Sequence, residues 1–298
     1  MKKVLNLAKP EMSAIKFQVS NFPDGQQDIV INPKDVEGYF DTDGETEYFV
    51  DIKIKEVEIK SRLNSFRDLE LIICATKALE RLGVKEINLY IPYLMGARSD
   101  REFQIGGNSY LVDVLSPVIN SLGFEKIKVL DVHSDVAPAC IKKLKIDTVL
   151  DQLLVEALYK VNSNDSSKCY VISPDSGASK RTFETCKKVS GFDFEIVECS
   201  KHRDLKTGKI VETIIPKNDF ENRDCIILDD IIDGGRTFIE LSKQLKERNC
   251  GDIYLCATHG IFSAGLEVFK PYIKQIFTTN SYQEEKNDGK FVKYLNVF

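Results

Sequence analysis

The richest chemical segment of the chain is Asp229-Asp230-Ile231-Ile232-Asp233-Gly234-Gly235-Arg236-Thr237. It follows the apolar run Cys225-Ile226-Ile227-Leu228, which reads as a buried strand, and it leads into a helical pattern. In open α/β folds, ligands bind at the carboxyl ends of strands. Carboxylates there accept hydrogen bonds from sugar hydroxyls. A glycine turn presents backbone N–H groups at a helix N-terminus, which suits a phosphate. One loop can therefore hold both ends of a ribose phosphate. The alternative is an acidic N-cap with a tight turn, the weaker explanation for Asp-Asp-x-x-Asp-Gly-Gly after four apolar residues.

Four further clusters lie at strand ends or between strands. Asp131-Val132-His133-Ser134-Asp135 follows Ile127–Leu130 and offers metal or phosphate ligands, although a single histidine is more often simply hydrogen-bonded. Ser173-Pro174-Asp175-Ser176-Gly177-Ala178 follows Cys169–Ile172 and offers a carboxylate and a small-residue turn. Tyr93-Leu94-Met95-Gly96-Ala97-Arg98-Ser99-Asp100-Arg101 follows Ile87–Ile91. Its two arginines can clamp a polyphosphate, though exposed arginines are usually just solvated. The basic stretch Lys201-His202-Arg203-Asp204-Leu205-Lys206-Thr207-Gly208-Lys209 reads as a solvated loop or as a lid closing on phosphates.

The elements that must position these groups alternate. Val4–Leu7, Ala14–Ser20, Asp28–Ile31, Glu56–Lys60, Ile87–Ile91 and Ile127–Leu130 read as strands. A helix over Phe66–Leu82 carries Phe66, Leu69, Ile73, Thr76, Leu79 and Leu82 on one face and stops at Gly83. Another lies near Leu111–Leu122. The second half repeats the scheme, with strands at Cys169–Ser173, Phe194–Cys199, Cys225–Leu228, Ile253–Ala257 and Gln275–Thr278. Its helices follow Ser173 to about Val189 and run from Thr237 to Arg248. Alternating βα units predict parallel sheets flanked by helices, in two α/β domains at 1–147 and 148–298.

Composition closes off other classes. The 298 residues are 43% hydrophobic and 29% charged, which argues against bulk disorder. Lys+Arg is 41 against Asp+Glu 46, a net charge of -5, which speaks against nucleic acid as a partner. No uncharged apolar stretch reaches the roughly 18 residues of a membrane span. The apolar run of the N-terminus fails at Lys9, Pro10 and Glu11, against a secretion signal. The eight cysteines form no C-x-x-C pair, so reduced, buried thiols in a cytoplasmic protein are expected. The three histidines lie in no Cys/His cluster, against structural zinc.

Together the clusters resemble the ribose-phosphate pyrophosphokinases, the phosphoribosyl pyrophosphate synthetases, from about Phe22 to Ser263. Phe22-Pro23-Asp24-Gly25 matches the family's adenine-contacting segment. Ile91-Pro92-Tyr93 with Ala97-Arg98-Ser99-Asp100-Arg101 matches its ATP segment. Asp131-Val132-His133 and Ser173-Pro174-Asp175 match its metal-site segments, and Lys201-x-Arg203 falls where it keeps two catalytic cations. Asp229–Asp233 opens its ribose-phosphate loop, and Ala257-Thr258-His259 with Ile261-Phe262-Ser263 matches a later segment.

The resemblance implies two tandem phosphoribosyltransferase-like domains, the first with ATP segments and the second with the ribose-phosphate and catalytic loops. It implies transfer of the β,γ-diphosphoryl group of ATP to the anomeric hydroxyl of ribose 5-phosphate, giving phosphoribosyl pyrophosphate and AMP. Lys201 and Arg203 would be catalytic. Phe22, Asp24, Gln26, Arg98, Ser99, Asp100 and Arg101 would bind ATP. Asp229, Asp230, Asp233, Gly234, Gly235, Arg236 and Thr237 would bind the ribose phosphate. His133 and Asp175 would hold Mg²⁺. A homo-oligomer, dimer or hexamer, is implied, with Phe22 and Asp24 acting on a neighbour's ATP.

Departures from the family pattern matter too. The loop Glu102-Phe103-Gln104-Ile105-Gly106-Gly107-Asn108 has no cation where the family's regulatory phosphate site has basic residues. Gln26 replaces a glutamate and Ser99 a glutamine. Asp233-Gly234-Gly235-Arg236-Thr237 replaces Asp-Thr-Ala/Gly-Gly-Thr, and the chain ends at Phe298, short of the family's last helix. These suit a divergent, phage-type branch serving NAD salvage, with ADP-ribose as an extended acceptor. The remaining alternatives are a phosphoribosyltransferase and an inactive regulatory subunit.

Overall fold

The computed structural model describes residues 2–42, 47–51, 54–162, 169–203, 210–285 and 290–298. The chain divides into two compact units, Met1–Asp147 with Phe298, and Thr148–Val297.

In chain order, the first unit contains β1 (Lys2–Asn6), β2 (Phe17–Asn21), β3 (Gln27–Ile31), β4 (Gly38–Thr42), β5 (Glu47–Asp51), β6 (Glu56–Lys60), α1 (Phe66–Arg81) and β7 (Glu86–Tyr90). A π-helical turn, Tyr110–Leu115, runs into α2 (Ser116–Ser121). β8 (Lys126–Leu130), α3 (Ala137–Cys140) and β9 (Leu144–Asp147) complete it. The sheet is parallel, in the order β1-β6-β7-β8-β9. β2–β3 and β4–β5 are separate antiparallel hairpins.

Helix α1 starts where Ser65 forms a capping box with Asp68, each accepting the other's backbone N–H. Its buried face is Leu69, Ile72, Ala75, Thr76 and Leu79. That face is rotated from the predicted one, because β3 packs on α1 and Gln27, Ile29 and Ile31 bury there. Phe66, expected inside, is exposed.

The second unit contains α4 (Leu150–Asn162), β10 (Cys169–Ser173), α5 (Ser176–Lys188), β11 (Phe194–Glu198), β12 (Ser200–Arg203), β13 (Ile210–Ile214), β14 (Cys225–Ile232), α6 (Arg236–Glu247), β15 (Ile253–Gly260), β16 (Gln275–Thr279) and β17 (Val292–Leu295). Its six-stranded sheet is parallel, in the order β11-β10-β14-β15-β16-β17. β10 and β15 are buried along their whole length, so they read as near-continuous apolar runs. One face of the sheet packs Ile227, Leu255 and Ile276 with Phe238, Leu241 and Leu245 of α6. The other packs Ile226, Leu228 and Phe277 with Leu153, Leu154 and Leu158 of α4.

Two differences from the predicted elements bear on chemistry. β14 continues through Ile232, because Ile231 and Ile232 keep pairing with His259 and Gly260. Asp229 and Asp230 therefore lie inside a strand rather than beyond its end. Ser200–Arg203, expected in a loop, pairs antiparallel with Ile210–Ile214, whose β-branched residues favour a strand. Residues 204–209 of the basic stretch lie outside the described residues. Six of the eight cysteines are buried and none is paired, and burial pushes the Cys186 and Cys199 thiols up to about 12. Among the described residues, no helix is long and apolar enough to cross a membrane.

Candidate functional site

In the second unit, β11 lies on one side of β10 and β14 on the other. The order of the chain reverses between β10 and β14, and the loops leaving their carboxyl ends flank the crevice where open sheets take ligands.

From β10, Asp175 caps α5: its Oδ1 accepts the Ala178 N–H at 3.2 Å. Its Oδ2 accepts a hydrogen bond from Lys201 Nζ at 2.6 Å. The Lys201 ammonium also lies 3.5 Å from the Thr237 hydroxyl. Only 8% of the Lys201 side chain is exposed. One buried cation thus joins β12, the cap of α5 and the first turn of α6. The Arg203 backbone lies in β12, but its side chain is outside the described residues.

From β14, Asp229 and Asp230 both meet Arg181 of α5. The Arg181 Nη1 donates to Asp230 Oδ1 at 3.0 Å and to Asp229 Oδ1 at 3.4 Å. Adjacent residues of a strand point to opposite faces, yet here one guanidinium reaches both. The Asp229 carboxylate turns back along the chain and accepts the Asp230 N–H at 2.9 Å. Burial, and then the neighbouring Asp230 charge, raise the Asp229 carboxyl well above the usual carboxylate range; Arg181 offsets part of this.

Arg181 is a site residue that motif reasoning missed. Its signal was available: it lies one turn beyond Ala178, on the buried side of the helix that Asp175 caps.

The 233–237 loop completes the crevice. Gly235 caps α6 in the left-handed region at φ +80. A Cβ there would lie 2.4 Å from Cε1 and Cζ of Phe269, so glycine is required twice over. Gly234 and Arg236 are exposed, while Asp233 and Thr237 are half-buried. A helix N-terminus beside a buried ammonium favours an anion.

In the first unit, the expected ATP residues fall in two places. Phe22, Asp24 and Gln26 form the exposed tip of the β2–β3 hairpin. The Phe22 N–H donates to the Gln26 carbonyl at 2.8 Å, and the Gln26 N–H to Asp24 Oδ1 at 3.2 Å. Arg98, Ser99, Asp100 and Arg101 follow β7 and meet the segment after β8, where Ser134 Oγ donates to Asp100 Oδ2 at 2.6 Å. Arg98 and His133 are exposed. The Arg101 guanidinium lies 5.7 Å from the Phe103 ring. Of the two expected metal ligands, His133 belongs to the first unit and Asp175 to the second. Among the described residues, no three His, Cys, Asp or Glu side chains gather as a metal-binding group.

Residues 206–295 match the family model of the phosphoribosyl synthetase-associated domain. The ribose-phosphate pyrophosphokinase of Vibrio cholerae is 27% identical over 216 residues, covering 72% of this chain and 66% of that enzyme. The chain thus spans just under two thirds of that relative's length. The ribose-phosphate pyrophosphokinase of Mycoplasmopsis pulmonis is 27% identical over 232 residues, covering 77% of this chain and 69% of the relative. The crystal structure of phosphoribosylpyrophosphate synthetase from Mycobacterium smegmatis shares the fold. Its TM-score is 0.75 at 16% identity, covering 99% of this chain and 94% of that one. In sequence over most of its length the chain is similar to the ribose-phosphate pyrophosphokinases, and it shares the fold of a phosphoribosylpyrophosphate synthetase.

Proposed function

We propose that the protein transfers the β,γ-diphosphoryl group of ATP to the anomeric hydroxyl of ribose 5-phosphate. The ribose O1 forms a bond to the β-phosphorus. The bond from that phosphorus to the oxygen bridging the α-phosphate breaks, AMP leaves with that oxygen, and the O1 proton is released. Such chemistry needs positioning and neutralisation of charge more than covalent help.

The observation that carries the reading is the Lys201 ammonium, 2.6 Å from Asp175 and 3.5 Å from Thr237. It is a cation fixed beside an anion-binding helix terminus, on the loop that would hold the acceptor. Asp229 and Asp230 would take the 2- and 3-hydroxyls and the 233–237 loop the 5-phosphate. Lys201 and Arg203 would stabilise charge on the transferring group. Arg98, Ser99, Asp100 and Arg101 would clamp ATP. Phe22, Asp24 and Gln26 would contact its base from a neighbouring subunit of a cytoplasmic homo-oligomer, dimer or hexamer.

Magnesium fits Asp175. Asp175 Oδ2 already holds a cation, the Lys201 ammonium, and phosphate drawing that ammonium away would free the oxygen. Magnesium in such sites keeps several waters and needs only one or two protein carboxylates besides phosphate. His133 is the second ligand that the family resemblance implies. When bound, the ion would neutralise phosphate charge.

A second reading extends the acceptor. Gly234 leaves space on the loop and Arg236 is an exposed fork-shaped cation, features that suit the diphosphate of ADP-ribose. The test is AMP release from ATP with ribose 5-phosphate and ADP-ribose side by side. Release with neither acceptor would reject the transferase reading. Release with ADP-ribose alone, weakened by Arg236→Ala, would favour the extended acceptor.

A further inference from the structure

The segment after β15 has no part in the scheme above, yet it embraces the 233–237 loop. Ile261 and Phe262 donate their backbone N–H groups to the Ile232 carbonyl at 2.8 and 3.3 Å. Phe262, at φ +54, turns the chain sharply. Its ring packs edge-on against Phe269, with centroids 6.0 Å apart. The Phe269 ring fills the space beneath Gly235. Both rings are buried, so this floor is close-packed and holds its shape.

The bracing aims the next residue. The Ser263 Oγ is the atom nearest the place a Cβ would take on Gly234, at 3.7 Å. That is ordinary contact distance. The loop position that lacks a side chain is therefore faced by a hydroxyl from a neighbouring segment.

We propose that Ser263 supplies the side-chain hydroxyl of the phosphate cradle, donating to a terminal phosphate oxygen held by the 233–237 loop. The inference rests on reading that loop as the acceptor's phosphate site. A serine hydroxyl donates one hydrogen bond, and a phosphate oxygen makes that bond charge-assisted. The backbone N–H groups of the loop and α6 supply the other donors. Ser263 is thus a specificity residue for the phosphorylated end of the acceptor. The missing side chain at Gly234 is compensated from outside the loop rather than simply lost.

Titration calorimetry of wild type with ribose 5-phosphate, ribose and ATP tests this. Ser263→Ala is expected to weaken ribose 5-phosphate about tenfold, or about 1.4 kcal/mol. Affinity for ATP and for unphosphorylated ribose stays unchanged. Ser263→Thr keeps the hydroxyl and stays within about threefold of wild type. Gly234→Ser in the Ser263→Ala background returns a hydroxyl from the loop side and recovers part of the loss. Ser263→Ala binding ribose 5-phosphate like wild type overturns this inference alone. So does an equal loss in Ser263→Thr, which points to packing rather than a hydroxyl. A wild-type protein that binds no ribose 5-phosphate overturns the phosphate reading of the loop, and this inference with it.

Discussion

Replacing Gly235 with alanine separates the demands on the backbone of the 233–237 loop from those on its side chains. Gly235 sits at φ +80, where an L-residue loses roughly 1–2 kcal/mol. The added Cβ falls 2.4 Å from two carbons of Phe269. Phe269 is fully buried and wedged against Phe262, so relief requires a shift of packed core, roughly 1–3 kcal/mol. The sum is roughly 2–5 kcal/mol. For a protein of this size that lowers the melting temperature by roughly 4–20 °C.

The neighbour is the control. Gly234→Ala places its Cβ 3.7 Å from one serine oxygen, and its cost should stay within about 0.5 kcal/mol. Thermal and urea unfolding of the two variants measure the contrast. Phe269→Leu in the Gly235→Ala background shrinks the obstructing ring, so the pair should cost less than the sum of its singles. Gly235→Ala melting within about 2 °C of wild type, or Gly234→Ala falling as far, refutes the steric argument.

Other changes probe charge. On the proposed mechanism Lys201→Ala would remove a cation that acts mainly in the transition state; turnover should fall about 10²–10³-fold with little change in ribose 5-phosphate binding, and steady-state kinetics within about threefold of wild type contradicts the role. Arg181→Met leaves two carboxylates facing each other without their common cation; the cost should be about 3 kcal/mol by urea unfolding, and a variant as stable as wild type sinks the pairing argument. Asp229→Asn should stabilise the protein at neutral pH. The folded state raises the Asp229 carboxyl, so it binds that proton more tightly than the unfolded chain. Wild-type stability therefore declines as pH rises from the ordinary carboxylate range towards the folded value. The advantage of Asn, read from melting temperatures, should shrink below about pH 4, and a variant less stable than wild type at pH 8 reverses the sign.

The fold was legible where period and burial agree. Glu56–Lys60 alternates strictly and is β6; Cys169–Ser173 is wholly apolar up to its last residue and is β10. Strand ends were less legible. Asp229 and Asp230 looked like loop residues because of their charge, yet β14 carries both and ends four positions later than expected, at Ile232 rather than Leu228. Backbone pairing with β15 holds that stretch extended, and no local propensity reports it. The Ser200–Arg203 strand was hidden for the same reason, its partner lying beyond residues 204–209.

The candidate site divides along a similar line. Groups that share one strand and its following turn, as in 229–237, can be grouped from order alone. Arg181, Ser263 and Phe269 reach that loop only through the packing of the second unit. Arg181 arrives because α5 follows β10, which pairs with β14. Ser263 and Phe269 arrive because β15 pairs with β14 on its other side. The central place of β14 gives its carboxylates a cation from one neighbour and gives its glycine loop a floor and a hydroxyl from the other. Loop residues carried on two adjacent strands are held more firmly than a loop could hold itself. Sheet order, which no short motif encodes, is therefore what brings the polar segments after β10 and β14 of the second unit to one crevice.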